Sequence, residues 1–397
     1  MDSHKDKCTM LQLVRAFVDK YPPILFWRDD WCVWNGTHYE HVCREHIEGK
    51  AMSFLERNTE LALTGSTIRS FVDLLRIVRF CNERAVPTWR NGRRRPDPRE
   101  LFVVKNGLLH ISTAAPKLLP HDSAFFGLSS VNYGYRPAAR FRRWLQFLKE
   151  LWPDDETARG LLQEWFGYCL LPDTSQQKIL GILGPPRSGK STIARVLREL
   201  IGPRNVASPS IRSLSGQFGL WGLLDKSVAI VPDATLPHPC PALEELLKSI
   251  SGEDAMDIHR KGMPPLTGVR LPTRIVILAN EQPTFHDPSG ALQRRLITLR
   301  TTRSFGGQED ITLTDKLLKE LPGILNWAIE GWKRLHSRNR FEIPEKVTMD
   351  RETLLRAVPD GDRVSRIVIY YQDRPRRRRG PRLRHNQKAR RASTKRG

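Results

Sequence analysis

Cysteine is sparse in this 397-residue chain, and its six positions, Cys8, Cys32, Cys43, Cys81, Cys169 and Cys240, form no CxxC pair. That pattern excludes the standard zinc finger and ribbon spacings and a dense disulfide framework. A chain of this length needs neither to bury a substantial core. His38, His41 and His46 stand around Cys32 and Cys43, but at spacings that match no standard zinc site, and the segment reads as a hairpin. Also missing is any apolar run long enough to be a secretory signal or a membrane span. The expectation is a cytoplasmic protein, in a reducing setting and without a membrane partner.

Acidic residues are lacking at the other end. None follows Asp373, while twelve Lys and Arg residues lie between Arg374 and Arg396, more than half of the formal net charge of +22. The preceding residues keep +10, which is basic without being extreme. The run Arg376 to Arg379 marks a low-complexity tail expected to be disordered, either adding nonspecific phosphate contacts or serving as a solvated end. Charge alone therefore does not define a nucleic-acid protein.

What is present is more specific. The stretch GPPRSGKS at 184–191 has the spacing of a phosphate-cradling P-loop. Gly184 and Gly189 let the backbone turn its N–H groups inward, Lys190 reaches the β- and γ-phosphates, and the Ser191 hydroxyl can sit on Mg²⁺. Pro185, Pro186, Arg187, Ser188 and Thr192 complete the expected nucleotide-binding set. The apolar run KILGIL at 178–183 predicts a strand before the loop, and 192–201 predicts a helix after it, stopped at Gly202. The helix N-terminus then adds its partial positive charge to the loop's donors.

Further apolar runs follow. SVAIVPD at 227–233 predicts a strand that delivers Asp233, a carboxylate able to hold Mg²⁺ or polarise water. RIVILAN at 274–280 predicts another, ending in Asn280, which would orient water or contact the γ-phosphate. Between them a helix is expected over 241–250, then a turn at His259, Arg260, Lys261 and Gly262, with 267–270 returning as a hairpin. Arg294 and Arg295 follow, placed where a cation could reach a neighbouring subunit's γ-phosphate.

Upstream, alternation and turn residues predict a hairpin over 31–42 turned at Asn35-Gly36, a helix over 42–57, and a strand pair over 101–111 turned at Asn106-Gly107. Helices are expected over 138–151 and from 155 to about 168, with Trp144, Phe147, Leu148, Leu151, Leu161, Trp165 and Phe166 as core at helical spacing. The loop 90–99 carries five arginines.

Taken in order, GPPRSGKS, VAIVPDA, LLKSISGEDAMDIHRKG, IVILANEQP and SGALQRRLITL resemble the superfamily 3 helicases, specifically the helicase part of phage and plasmid primase-helicases, relatives of the poxvirus-type replication ATPase. The resemblance spans about residues 32–335, because NGLLHI, WLQFLKELW and LLQEWFGYCLL resemble the module that precedes the ATPase there. It implies an α/β chain: an AAA+-like P-loop NTPase domain with a parallel central sheet over 176–340, preceded by a mixed α/β module over 1–175. Residues 341–397 form a C-terminal extension with the Arg-rich tail.

The implied activity is ATP-dependent DNA unwinding by a homo-hexameric ring, with ATP and Mg²⁺ as cofactors, single-stranded or forked DNA as partner, and a separate primase or other replication proteins alongside. The setting would be a bacterial host or a phage-infected cell. Lys190, Asp233, Asn280 and Arg295 would be catalytic, with Arg295 favoured over Arg294 as the finger because LITL directly follows it. Ser191 and Asp233 would hold the metal, and His259, Arg260 and Lys261 would grip the DNA backbone. No polymerase module with metal-binding acids is evident upstream, so primer synthesis is not expected. The alternatives are an ATP-regulated DNA-binding or initiator protein that does not unwind, and an inactive prophage remnant.

Overall fold

The computed structural model describes residues 9–60, 62–92, 95–232, 240–281, 285 and 289–343, all within the first of two units, Met1–Arg351. In chain order the elements are α1 (Met10–Lys20), β1 (Ile24–Trp27), β2 (Asp30–Trp34), β3 (Tyr39–Val42), α2 (Arg44–Asn58), α3 (Gly65–Val78), β4 (Thr88–Trp89), β5 (Leu101–Val104), β6 (Gly107–His110), β7 (Lys117–Leu119) and β8 (Phe125–Phe126). There follow α4 (Arg142–Leu151), α5 (Glu156–Tyr168), β9 (Ile179–Leu183), α6 (Lys190–Ile201), β10 (Val206–Ala207), α7 (Ile211–Leu214), β11 (Val228–Val231) and α8 (Pro241–Ser251). Last come β12 (Met256–Arg260), β13 (Met263–Val269), β14 (Arg274–Ala279), α9 (Ala291–Arg295), β15 (Leu296–Arg300), α10 (Leu313–Leu318) and α11 (Leu321–Arg338).

The first part is an antiparallel β1–β2–β3 meander packed with three helices. Helix α1 begins at Thr9 because Thr9 and Gln12 form a capping box, the Thr9 hydroxyl accepting from Gln12 N at 3.3 Å. Phe17 anchors the helices, with Phe54 and Phe71 standing edge-on to it at 5.3 and 5.4 Å. The expected hairpin is present but its turn is wider than a two-residue Asn-Gly turn. Trp34 pairs with Tyr39, leaving residues 35–38 as the loop. Asn35 sets that loop, its Oδ1 accepting from the backbone N–H groups of Thr37 and His38, both at 3.0 Å.

The second expected hairpin is shifted by one residue. Val104 pairs with Gly107, so the turn is Lys105-Asn106 and Gly107 already belongs to β6. A Cβ at Gly107 would stand 2.2 Å from the Leu119 carbonyl oxygen of β7, so the approach of that strand requires glycine.

The later strands make a five-stranded sheet in the order β10-β11-β14-β9-β15, parallel at every pairing. β9, β11 and β14 are buried at every position, which is why they read as unbroken apolar runs rather than alternating ones. The α/β class with a parallel sheet is as expected.

The core around this sheet also holds Trp144, Phe147, Leu148 and Leu151 of α4 and Leu161, Trp165 and Phe166 of α5, residues that precede position 175. Helix α4 begins at Arg142 rather than Ala138, because the Glu320 carboxylate accepts from Arg143 N at 3.1 Å and Trp144 N at 2.9 Å and so satisfies the first turn. Helices α5 and α11 approach closely through glycines: a Cβ at Gly167 would stand 2.4 Å from the Ala328 carbonyl oxygen. No helix of the described residues is long and apolar enough to cross a membrane.

Candidate functional site

The C-terminal edge of a parallel sheet is where an open α/β fold presents its ligand groups. Here β9 leaves that edge at Leu183 and enters the loop 184–189, after which α6 starts at Lys190. Gly184 has φ +155°, and a Cβ there would lie 2.0 Å from Thr301 Oγ1. Gly189 has φ +86° and caps α6, and its Cβ would meet Leu151 Cδ2 at 2.8 Å. Both positions therefore combine a left-handed backbone with a close neighbour.

The segment after β15 pins this loop. Thr301 Oγ1 meets Ser188 Oγ at 2.7 Å, Ser304 Oγ donates to the Pro186 carbonyl at 2.9 Å, and Phe305 N donates to the Arg187 carbonyl at 3.0 Å. Ser188 is 1% exposed. Arg187 points outward and pairs with Glu309 at 2.6 Å.

Lys190 is 6% exposed, and its ammonium is held inside the loop. Nζ donates to the carbonyls of Gly184 at 2.7 Å and Pro185 at 2.8 Å, and to Asn280 Oδ1 at 3.1 Å. These acceptors hold the ammonium in place inside the loop. Asn280 reaches it because β14 lies beside β9, with Ala279 paired to Leu183 and Gly184 N donating to the Ala279 carbonyl at 3.2 Å.

Ser191 and Thr192 line a cleft of roughly 270 Å³ beside this loop. Its other walls are Arg143, Phe147 and Glu150 of α4, and Phe305 and Leu313 after β15. Arg143 is fixed by Glu150, with Nη1 at 3.1 Å from the carboxylate. The wall facing the loop and its lysine thus mixes Phe147, Phe305 and Leu313 with the charged side chains Arg143, Glu150, Glu309 and Asp310. The contribution of α4 escaped the sequence reading, which treated Phe147 as core and assigned no role to Arg143 or Glu150. Its signal was the spacing of Arg143, Phe147, Glu150 and Leu151, one helical face.

Asp233 lies outside the described residues, although β11, which leads toward it, is in place between β10 and β14. Ser191 is thus the member of the expected metal pair that the structure locates, exposed at the start of α6 and facing the cleft. Among the described residues no cluster of three or more His, Cys, Asp or Glu could hold a metal.

The hairpin is present as β12 and β13, with Arg260 paired to Met263 and Lys261-Gly262 at its tip. His259 and Lys261 are exposed. Arg260 is not: it is 8% exposed, and its guanidinium donates to the Pro264 carbonyl through Nε at 3.0 Å and Nη2 at 2.9 Å, with Asp29 at 3.4 Å. Of the three residues expected to grip DNA, Arg260 is thus turned inward, because strand alternation sends it to the opposite face from His259.

The arginines of α9 lie at the far edge of the sheet. Leu296 pairs with Ile179 and Arg300 with Leu183, so five residues of strand separate Arg295 from the level of the P-loop, about 15 Å at the strand rise. Arg294 is exposed, with Nη2 donating to the Ser289 carbonyl at 3.1 Å. Arg295 is partly buried, with Nη1 donating to Ser251 Oγ at 3.1 Å and to the Lys248 carbonyl. Burial and then the Arg295 charge hold the Lys178 ammonium below the usual lysine range.

A family described as of unknown function (DUF5906) matches residues 182–295, which take in the loop 184–189, the hairpin and both arginines. Solved structures of the C-terminal region of NrS-1 share the architecture. An apo structure of that region aligns with a TM-score of 0.60 over 94% of this chain and 81% of that one, at 12% identity. Its A-form apo structure aligns with a TM-score of 0.56 over 92% of this chain and 80% of that one, at 13% identity. At such identity the likeness is one of fold, and this chain has the fold of the NrS-1 C-terminal region.

Proposed function

We propose that the chain is an ATP-dependent DNA helicase of the superfamily 3 type, serving replication of a phage, prophage or plasmid as a homo-hexameric ring with an AAA+-like P-loop domain. The observation that carries this is the distribution of charge across one sheet: the Lys190 ammonium and Asn280 at the C-terminal edge, and Arg294 and Arg295 about 15 Å away at the other. On that separation the arginines would serve a neighbour's phosphates rather than those bound by their own chain. A neighbouring copy can supply them, which requires a ring or filament of subunits.

In this account the P-loop backbone and Lys190 hold the triphosphate, and the cleft wall of Phe147, Phe305 and Leu313 receives the base. Ser191 and Asp233 would hold Mg²⁺, which would offset phosphate charge there. Asn280 orients the attacking water, and an arginine of the α9 pair stabilises transition-state charge from the adjacent subunit, a contribution of about 10³-fold or more. His259 and Lys261 at the hairpin tip contact DNA phosphates, so binding should be salt-sensitive and largely blind to sequence. The similarity to the NrS-1 C-terminal region supports the fold on which this rests. Strand displacement driven by ATP tests the proposal; DNA-stimulated hydrolysis with no displacement from either overhang would favour a loader or initiator instead.

A further inference from the structure

Arg294 and Arg295 are adjacent in sequence but built into the molecule differently. Arg295 is seated: Nη1 donates to the Lys248 carbonyl and to Ser251 Oγ at the C-terminal end of α8, the negative end of the helix dipole. The seat has space because residue 252 is glycine. A Cβ there would stand 2.9 Å from Arg295 Nη1 and 3.2 Å from Nη2. Ser251 is itself buried and oriented, its hydroxyl donating to the Leu247 carbonyl at 2.6 Å. Arg294, by contrast, is exposed and bonded only to its own loop, Nη2 donating to the Ser289 carbonyl at 3.1 Å, while Lys178 Nζ holds its carbonyl at 2.7 Å and so fixes the backbone from which both side chains leave.

The end of α8 leads directly to the hairpin, since β12 begins at Met256. That junction is tied to the strand edge a second time: Thr174 Oγ1 donates to the Glu253 carboxylate, and Gln177 Nε2 donates to the Gly252 carbonyl at 3.3 Å. If Arg295 reached for a neighbour's nucleotide it would have to give up both of its bonds at α8.

We infer that the pair divides its work: Arg294 is the cation offered to the phosphates of a neighbouring subunit, and Arg295 is a positioning residue that locks α9 to α8 and thereby to the β12–β13 hairpin. This rests on the proposed ring and reverses the sequence-based preference for Arg295. A shift of α9 caused by the neighbour's nucleotide is passed through Arg295 to the hairpin, which couples hydrolysis at one site to the DNA-contacting tip of the next subunit.

The test uses the full chain with Arg294→Ala, Arg295→Ala and Gly252→Ala, the last crowding both the guanidinium and, at 2.8 Å, the Lys248 carbonyl that accepts from it, while leaving both arginines. Arg294→Ala should lose about 10³-fold in hydrolysis, recovered when mixed with Lys190→Ala subunits. Arg295→Ala and Gly252→Ala should keep DNA-independent hydrolysis but lose its stimulation by single-stranded DNA. Amide hydrogen exchange over 248–260 should quicken in those two and not in Arg294→Ala.

The inference is overturned if Arg295→Ala shows the hydrolysis loss and the mixed-ring recovery while Arg294→Ala behaves as native. Unchanged exchange over 248–260 in Arg295→Ala also overturns it. Should the native chain hydrolyse no nucleotide, the functional proposal fails separately, and the exchange measurement alone decides the role of Arg295.

Discussion

Lys190 Nζ lies 3.1 Å from Asn280 Oδ1, joining the P-loop to the strand that ends beside it. A carboxylate in place of this amide would put a new negative charge beside the ammonium and beside any bound phosphate. Asn280→Asp is therefore expected to weaken triphosphate binding by about tenfold or more, roughly 1.4 kcal/mol, through an ion pair with Lys190. Asn280→Ala should retain binding but slow hydrolysis. Titration with a fluorescent nucleotide analogue checks the contrast; equal affinity in the two variants would contradict it.

Gly189→Ala should destabilise the loop by about 1–3 kcal/mol, since the residue has φ +86° and its Cβ would press on Leu151 of α4. Denaturant midpoints of the variant and native chains give the cost. A neutral substitution would mean that α4 does not back the P-loop as described.

At the hairpin the three basic positions should separate. Lys261→Ala is expected to lower affinity for single-stranded DNA and to reduce the slope of log K against log salt by about 0.7, the loss of one phosphate contact. Arg260→Ala removes the guanidinium from the Pro264 carbonyl and should destabilise the hairpin itself. Its signature is faster amide exchange over 256–269, which Lys261→Ala should not show.

Burial, opposed by Glu40 and reinforced by Arg204, lowers the pKa of His38 in the β2–β3 loop. A folded-state value below the unfolded one means that the unfolded chain takes up the proton more readily. Stability is then lost as pH falls through the ordinary histidine range toward the lower folded value. Thermal melting from about pH 7.5 to about pH 5.5 should show this decline, and His38→Gln should flatten it.

The parallel-sheet region was legible because its central strands are buried at every position and its glycine loop needs specific residues. Lys190 and Asn280, predicted from separate runs, meet in the structure. The helix expected over 241–250 and the hairpin around Gly262 also appear. What the sequence did not disclose depends on contacts between distant segments. Thr301 shows no motif, yet its hydroxyl bonds Ser188 across the site. Glu320 decides where α4 begins although it lies 177 positions from Arg143. Turn widths were misjudged for a local reason: Asn35 used its side chain to cap a four-residue loop, and Gly107 was taken up by strand pairing.

The most direct measurement is ATP-driven separation of a forked DNA duplex by the native chain and by Lys190→Ala, run with both overhang polarities at low salt. The account predicts DNA-stimulated hydrolysis and strand displacement by the native chain, with both abolished in Lys190→Ala. Hydrolysis retained in full by Lys190→Ala, or a native chain that hydrolyses ATP yet separates no duplex, would contradict it.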